Sequence, residues 1–495
     1  HIGGVRTALY NVLFARKNRG TFILRIEDTD QNRYVSGAEN YIMEALDWCG
    51  LTPDEGPKQG GNYGPYRQSE RKHLYGEYAQ KLIDSGNAYY AFDTPEELQQ
   101  QREEFEKRKE VFRYDSSTRM KLSNSLTLSE VESRKFIESG EYTIRIKIPA
   151  DESITVHDIV RGEVTFDSNQ LDDKVILKSD GMPTYHLANI VDDHLMEISH
   201  VVRGEEWLPS TAHHLYLYRF LGWGDQMPQF AHLPLILKPS GKGKLSKRDG
   251  AKLGIPVFPL AWKGQTEEDS FQGFREFGFL PDAANNFLAF LGWNPGTEQE
   301  IFSLKELEEA FTLERVSKSG ARFDFDKALW FNQQYLIAME DSAIAELLQP
   351  LAKEKGFRDD IDYLSSVSGL MKERVHTIPE ILETGYYCFT SVKEYEEKMI
   401  RKKWKPEREE VFKELINDFQ GLSEIIGEAF ESTTKAFMEK HELGFGDVLP
   451  ILRLALSGTM KGPSVFDLAA LLGKDEVAKR MTTAIPAFNQ IKAHV

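Results

Sequence analysis

Cysteine is nearly absent from this chain. Its two cysteines, Cys49 and Cys388, lie far apart and can form neither a disulfide framework nor a four-ligand zinc site. A reducing, cytoplasmic compartment is the expectation. No run of about 18 apolar residues occurs, which excludes a membrane-spanning helix, and no signal peptide is visible. Nothing precedes His1, not even a methionine, yet a glycine turn that opens a phosphate-binding helix normally follows a β-strand. An upstream strand is therefore expected. Positive charge is also in short supply: 61 Lys and Arg against 78 Asp and Glu leave a formal charge of −17. Alone, that argues against a nucleic-acid partner. Net charge governs solubility and long-range repulsion, however, and a local basic stripe can still hold phosphates. Stripes occur at residues 102–109 and 398–405, the second interleaving Trp404 with Arg401, Lys402, Lys403 and Lys405. For each stripe alone, a solvated helix face is the simpler reading.

What the chain does have is 495 residues, 41% of them hydrophobic, enough for roughly three to four domains. Its most informative feature is a pairing across some 240 positions: His1-Ile2-Gly3-Gly4 at the start and Lys244-Leu245-Ser246-Lys247-Arg248 later. After the glycines, Val5, Ala8, Leu9, Val12 and Leu13 follow the spacing of an amphipathic helix, with Gly20 as its stop. Residues 21–26 form a nearly continuous apolar run, the pattern of a strand covered on both faces. It ends in Glu27-Asp28-Thr29-Asp30, where Asp30 can cap a following helix while Glu27 meets a ligand amine. A second αβ stretch begins with a strand at 175–177 and a turn at 179–181. Tyr185 and Asn189 share one face of the next helix. A strand at 198–202 delivers Arg203 at its carboxyl end, where ligands of parallel sheets sit. A helix near 206–221, stopped by Gly222, and an apolar run at 233–237 lead into the glycine-rich basic loop 238–250. This alternation predicts a doubly wound sheet split by an insertion at 91–174.

The chemistry suited to these residues is attack of an amino acid on the α-phosphate of ATP. Charge grows on phosphoryl oxygens, and positioned donors supply the rate. Gly3 and Gly4 allow close backbone approach, and a helix N-terminus favours anions. His1 can donate to a phosphate oxygen. Lys244 and Lys247 can move in on a loop hinged at Gly241, Gly243 and Gly250. Arg203 suits a carboxylate, Tyr185 and Asn189 add neutral hydrogen bonds, and Glu27 suits an α-ammonium group. Together they describe an acidic amino acid. The competing reading of Arg203 is a surface ion pair with Glu205 or Glu206.

The segments His1 to Ala8, Leu24 to Asp30, Gly64-Pro65-Tyr66-Arg67-Gln68-Ser69, Pro183 to Asn189 and Arg203-Gly204-Glu205-Glu206-Trp207 closely resemble signatures of bacterial glutamyl-tRNA synthetases, class I aminoacyl-tRNA synthetases. His1 to Gly4 resembles their HIGH motif and Lys244 to Arg248 their KMSKS loop. The resemblance spans nearly the whole chain. It implies an α/β fold: a Rossmann-like parallel-sheet catalytic domain split by an α+β insertion, then an all-α anticodon-binding region. The expected domains are 1–90 and 175–251 (the catalytic halves), 91–174 (the acceptor-end-binding insertion), 252–329 (stem contact) and 330–495 (helical anticodon domains). It further implies ATP with Mg²⁺, L-glutamate and tRNA(Glu) as partners, with a monomer as the family default. Glutamate is adenylated, typically only with tRNA bound, and then passes to the terminal ribose 2′-hydroxyl. By resemblance, His1, Gly3, Gly4, Ser246, Lys247 and Arg248 bind ATP; Glu206, Trp207, Leu235 and Ile236 surround adenosine; and Glu27, Tyr185, Asn189 and Arg203 hold glutamate. Asp30, Lys372 and Arg374 are assigned to tRNA. His1, Lys244 and Lys247 are the catalytic set.

Two departures matter. The family carries an arginine and a serine just upstream of His1 that contact glutamate, so the chain as it stands is expected to be impaired. Some members bind zinc through insertion cysteines; residues 91–174 contain none, so no zinc is expected. Beyond Trp330 the pattern is helical: Val448, Ile451, Leu452 and Ala455 share a face, with Gly458 as a stop. The long helical tail disfavours a tRNA-base-modifying paralogue, and length disfavours a small nucleotidyltransferase. A catalytically inactive tRNA-binding or regulatory relative is the alternative.

Overall fold

The helix expected after the first glycines is α1 (Ile2–Lys17), with Ile2, Val5, Leu9, Val12 and Leu13 buried along one side. His1 caps it through its own side chain. The chain leaves the helix at Asn18, and the Gly20 amide returns to the Ala15 carbonyl at 2.8 Å. The computed structural model describes residues 1–30, 35–264 and 266–493. It divides into two compact units, His1–Leu260 with Asn285–Asp324, and Ala261–Ala284 with Phe325–Val495. Residues 261–284 fall in the second unit and residues 285–324 in the first.

In the first unit α1 is followed by α2 (Ala38–Trp48), α3 (Lys72–Asp84), β1 (Ala88–Ala91), α4 (Pro95–Lys107), α5 (Glu130–Ser139), β2 (Thr143–Ile146), β3 (Ser153–Asp158) and β4 (Gly162–Asp167). Then come β5 (Val175–Leu177), α6 (Tyr185–Leu195), β6 (His200–Gly204), α7 (Leu208–Phe220), β7 (Gln229–Leu233), β8 (Ile236–Leu237), α8 (Lys247–Leu253) and β9 (Ala321–Arg322). One sheet has the order β4-β3-β7-β6 and another β1-β2-β5. The β6–β7 pair is parallel over five residue pairs, and β3 joins β7 in parallel at Asp158 and Phe230. This is the expected mixed α/β core, with one difference: the insertion's strands are built into it. β2 lies between β1 and β5, and β3 lies against β7. The core packs α3, α6 and α7 around these strands, with Tyr75, Ile146, Ile176, Leu187, Val191 and Tyr216 fully covered.

The run at 21–26 departs from expectation. It makes only isolated parallel bridges, Ile23 with Glu55 and Ile26 with Arg67, and residues 22–26 are half-buried rather than covered on both faces. Its neighbour on one side is the irregular segment 54–67, and its other flank borders an open cleft, so no ladder forms. The helix expected near Asp30 falls on residues 31–34, outside the described residues. The next helix, α2, starts at Ala38 after Gly37 in the left-handed conformation.

Helices are the only regular secondary structure among the second unit's described residues beyond Trp330. Its core includes Leu348, Leu364, Ile381, Phe412, Phe430, Leu452, Leu468 and Phe488. The expected face of Val448, Ile451, Leu452 and Ala455 is buried in helix Phe445–Ser457, which Gly458 ends with φ 77°. The basic stripe at 398–405 is corrected in one respect. Trp404 is 1% exposed, and its indole N–H donates to Asn489 Oδ1 at 2.8 Å. It is a core anchor and offers no stacking surface.

Candidate active site

A cleft of about 840 Å³ opens in the α/β unit between residues 20–27 and β6, floored by α1 and closed by α6. Of the residues expected to bind ligand, Gly4, Glu27, Tyr185, Asn189, Arg203 and Trp207 line it. His1, Gly3, Glu206, Leu235, Ile236, Lys244, Ser246, Lys247 and Arg248 lie in the same unit without lining this cavity.

Arg203 is the centre of the site. It is the penultimate residue of β6 and is 8% exposed. Its Nε donates to His232 Nε2 at 3.1 Å, Nη1 to the Tyr185 hydroxyl at 2.7 Å, and Nη2 to Thr211 Oγ1 at 2.9 Å. Two longer contacts, to His214 Nδ1 at 3.4 Å and the Trp207 carbonyl at 3.5 Å, are weak enough to be surrendered. Every one of these partners is neutral. The competing surface ion pair is excluded, because Glu205 pairs with Arg161 and accepts from the Leu235 amide, while Glu206 pairs with Lys244. A buried cation ringed by neutral groups keeps its charge for an anion.

The ring stays neutral for a physical reason. Burial holds His214 well below the ordinary histidine range, and the Arg203 charge pushes the same way. Burial takes His186 down to about 3. Burial also pushes the Tyr185 hydroxyl up to about 12, so it stays protonated. Tyr185 packs on Trp207 with centroids 4.5 Å apart.

Asn189, one turn on from Tyr185 in α6, accepts at Oδ1 from Arg25 Nη2 at 2.6 Å. Arginine only donates, so the Asn189 amide N–H₂ points elsewhere. The same Arg25 pairs with Glu27 at 3.1 Å and Asp193 at 2.9 Å. Burial alone would lower the Arg25 guanidinium, but Asp193, Glu27 and Asp192 more than reverse that. Asp192 in turn accepts from Arg71, Gln68 and Tyr75. Arg25, Asp193 and His232 were not expected as site residues. Each leaves a trace in the sequence. Arg25 interrupts an apolar run, Asp193 stands four and eight residues after Asn189 and Tyr185, and His232 interrupts Phe230-Ala231-His232-Leu233.

At the helix start, the Gly3 amide donates to His1 Nδ1 at 3.1 Å. A neutral imidazole accepting at Nδ1 carries its proton on Nε2. That Nε2 is buried without a partner, a donor in need of an acceptor. The segment after α8 lies against this corner: Ile2 donates to the Val257 carbonyl at 2.9 Å, and Phe258 meets the His1 ring edge-on at 5.5 Å. Arg6 binds the carbonyls of Pro234 and Leu291 at 2.5 and 2.8 Å, tying α1 to the strand that feeds the lysine loop. Gly292, at φ 110°, makes room for this: a Cβ there would meet Pro234 Cγ at 2.9 Å.

In that loop, Lys244 bridges to Leu237 and its ammonium binds Glu206 at 2.7 Å. Ser246 caps α8 through a reciprocal pair with Asp249, and Lys247, half-buried, is its first residue with Arg248 next. Gly241 and Gly243 have positive φ in the turn before Lys244. Gly250 is corrected. It lies buried inside α8, where a Cβ would sit 2.6 Å from Val257, so it permits close packing and not bending. Leu235 is half-buried and Ile236 buried on β8.

Asp30 is exposed at the edge of the described segment. In the helical unit, Lys372 binds Asp341 at 3.0 Å and the Met339 carbonyl at 2.9 Å, which makes it a brace. Arg374 is exposed, with one contact to the Leu370 carbonyl at 3.2 Å. Among the described residues, no group of three or more His, Cys, Asp or Glu side chains is placed to hold a metal ion.

Comparison with known proteins gives a consistent result. The family described as "tRNA synthetases class I (E and Q), catalytic domain" matches residues 1–330, and "Anticodon binding domain" matches residues 343–485. A glutamate–tRNA ligase of Christiangramia forsetii is 52% identical over 98% of this chain and 96% of its own length. That of Flavobacterium johnsoniae is 53% identical over the same shares. Among solved structures, a glutamate tRNA ligase from Elizabethkingia meningosepticum in complex with its amino acid superposes with a TM-score of 0.95. It is 48% identical and covers 99% of this chain and 97% of its own.

Proposed function

This chain belongs to the class I tRNA synthetases of the E and Q group, and we propose that the cleft around Arg203 is where it selects glutamate before joining it to tRNA. The activity is that of a glutamate–tRNA ligase, a class I aminoacyl-tRNA synthetase that glutamylates tRNA. The observation that carries the site assignment is the buried Arg203, whose hydrogen-bond partners are all neutral. An anionic side chain completes it. A neutral isostere would leave the guanidinium charge uncompensated.

In this reading Arg203 and Tyr185 take the substrate's side-chain carboxylate, and Asn189 and Glu27 take its backbone groups, with Arg25 fixing both. The α-carboxylate oxygen attacks the α-phosphorus of ATP and pyrophosphate leaves. His1 Nε2–H and the α1 N-terminus donate to phosphate oxygens. Lys247, with Ser246 and Arg248, closes from the hinged loop as charge develops, and Lys244 exchanges Glu206 for phosphate. Trp207, Leu235 and Ile236 border the adenosine. Bound to the phosphate oxygens of ATP, Mg²⁺ would offset their charge, beside the donors that His1 and Lys247 supply. A ribose hydroxyl of tRNA(Glu) then attacks the glutamyl carbonyl and AMP leaves. Asp30 and the exposed Arg374 are the tRNA contacts that fit best. The working form in this reading is a cytoplasmic monomer.

ATP–pyrophosphate exchange with glutamate and tRNA(Glu) tests the assignment. Exchange that requires glutamate and is lost with glutamine is the expected result. tRNA binding without exchange would favour a binding module that has lost catalysis.

A further inference from the structure

Resting on the assignment of Arg203 to the substrate carboxylate, we propose that Asp158 and His232 form a positioning relay that fixes Arg203 for glutamate recognition. Three neighbouring strands put the side chains in line. Arg203 and His232 are direct partners across β6 and β7, and Asp158 joins β7 from β3. Asp158 Oδ2 lies 2.6 Å from His232 Nδ1, and His232 Nε2 lies 3.1 Å from Arg203 Nε. Both the Asp158 and His232 side chains are fully buried.

The donors and acceptors permit only one arrangement. Arg203 Nε can only donate, so His232 Nε2 accepts and the ring proton sits on Nδ1, facing the carboxylate. Asp158 is held as an anion by its other contacts: Oδ1 accepts from the amides of Val160 at 3.0 Å and Arg161 at 2.8 Å. Burial raises the Asp158 carboxyl, but these bonds and His232 outweigh it and keep it below its ordinary range. Burial and the Arg203 charge likewise keep His232 neutral.

The spacer ring has a chemical consequence. A carboxylate bound directly to Arg203 would neutralise it and compete with the substrate. Asp158 sits one ring away, so it orients the guanidinium and offsets its burial while Nη1 and Nη2 remain available to the substrate carboxylate. Asp158 lies in the insertion, so the relay also ties that segment to the amino-acid pocket.

Asp158→Asn tests this in the full chain. The new amide presents N–H toward His232 Nδ1, which flips the ring proton to Nε2 and sets it against Arg203 Nε–H. In ATP–pyrophosphate exchange with tRNA present, KM for glutamate should rise about 10- to 100-fold. KM for ATP and kcat should stay within a few-fold. His232→Gln, which can still accept from Arg203, should lose less than His232→Leu. A parallel rise in both KM values, or a folded Asp158→Asn with unchanged KM for glutamate, overturns the relay. Arg203→Ala, run alongside, separates the two levels. If its glutamate KM is unchanged, the pocket assignment falls and the relay with it. If only the Arg203 variant responds, the relay alone falls. A measurement independent of any variant is the ¹⁵N NMR signature of His232 near neutral pH: protonation at Nδ1 is expected, and protonation at Nε2 or at both nitrogens contradicts the proposal.

Discussion

The two units bury different things. In the α/β unit, Arg6, Arg71, Arg119, Asp158, Asp173, Asp192, Asp193 and Arg203 are all buried. In the helical unit, Arg480 is the one buried charged residue among those described, inside an apolar core. The two buried arginines Arg203 and Arg480 make the contrast plain. Arg480 gives its N–H groups to the carbonyls of Tyr387, Leu456 and Thr390 and pairs with Glu476 at 2.9 Å. Four of its five N–H donors are engaged and a carboxylate offsets its charge, so it braces the fold. Arg203 meets neutral side chains beside a cleft, and its charge is left for a ligand. On the proposed assignment, what separates the two is compensation: Arg480 has a carboxylate partner, and the side chains around Arg203 are neutral.

If that contrast is right, the helical unit should fail by losing packing. Phe430→Ala, which empties a fully buried site against Phe419, should cost about 3–5 kcal/mol in denaturant unfolding. A loss below about 1 kcal/mol would mean that this core is loosely packed. The α/β unit should instead fail in its chemistry. Lys247→Ala should slow glutamate activation by ~10² while leaving tRNA binding within about two-fold. An unchanged kcat in pyrophosphate exchange would remove Lys247 from the reaction.

Acid should separate the units next. His186 is held near 3 when folded and titrates near 6.5 when unfolded. The unfolded chain therefore binds more protons between those values. The stability gained from neutral His186 is complete above about pH 6.5 and drains away as pH falls toward 3. At pH 5 the loss is about 2 kcal/mol at most from this group, and the lowered His214 and His232 act in the same direction. Hydrogen exchange at pH 7 and pH 5 should show faster opening of α6, α7 and β7 than of helix Phe445–Ser457. Equal acceleration of both regions would erase the contrast. The smallest effect belongs to the surface. Arg134→Ala breaks an exposed pair with Glu130 and should move Tm by less than about 2 °C.

The sequence made local structure legible where period and punctuation agreed, as in α1, the α6 face bearing Tyr185 and Asn189, and the helix stopped by Gly458. It failed at 21–26, where an apolar run promised a ladder. Ladders depend on neighbours distant in sequence, and this segment borders a cleft on one side. Trp404 misled because a lysine-rich stripe says nothing about which way its aromatic residue points. Of the candidate site, Arg203, Glu27 and Tyr185 were legible as chemistry-bearing residues near element ends, and Asn189 as the residue one turn on from Tyr185. The residues that orient them, Arg25, Asp158 and His232, were not. Their roles come from strand register across β3, β7 and β6 and from the α6 face, which no local spacing encodes.

The most direct test is the preference for glutamate over glutamine, taken as the ratio of their kcat/KM values in activation with tRNA present, before and after Arg203→Ala. A neutral-lined buried guanidinium predicts that the ratio collapses by about 30-fold or more, corresponding to roughly 2–5 kcal/mol of lost recognition. A ratio that survives the substitution would place the choice of amino acid elsewhere and contradict the reading of the cleft.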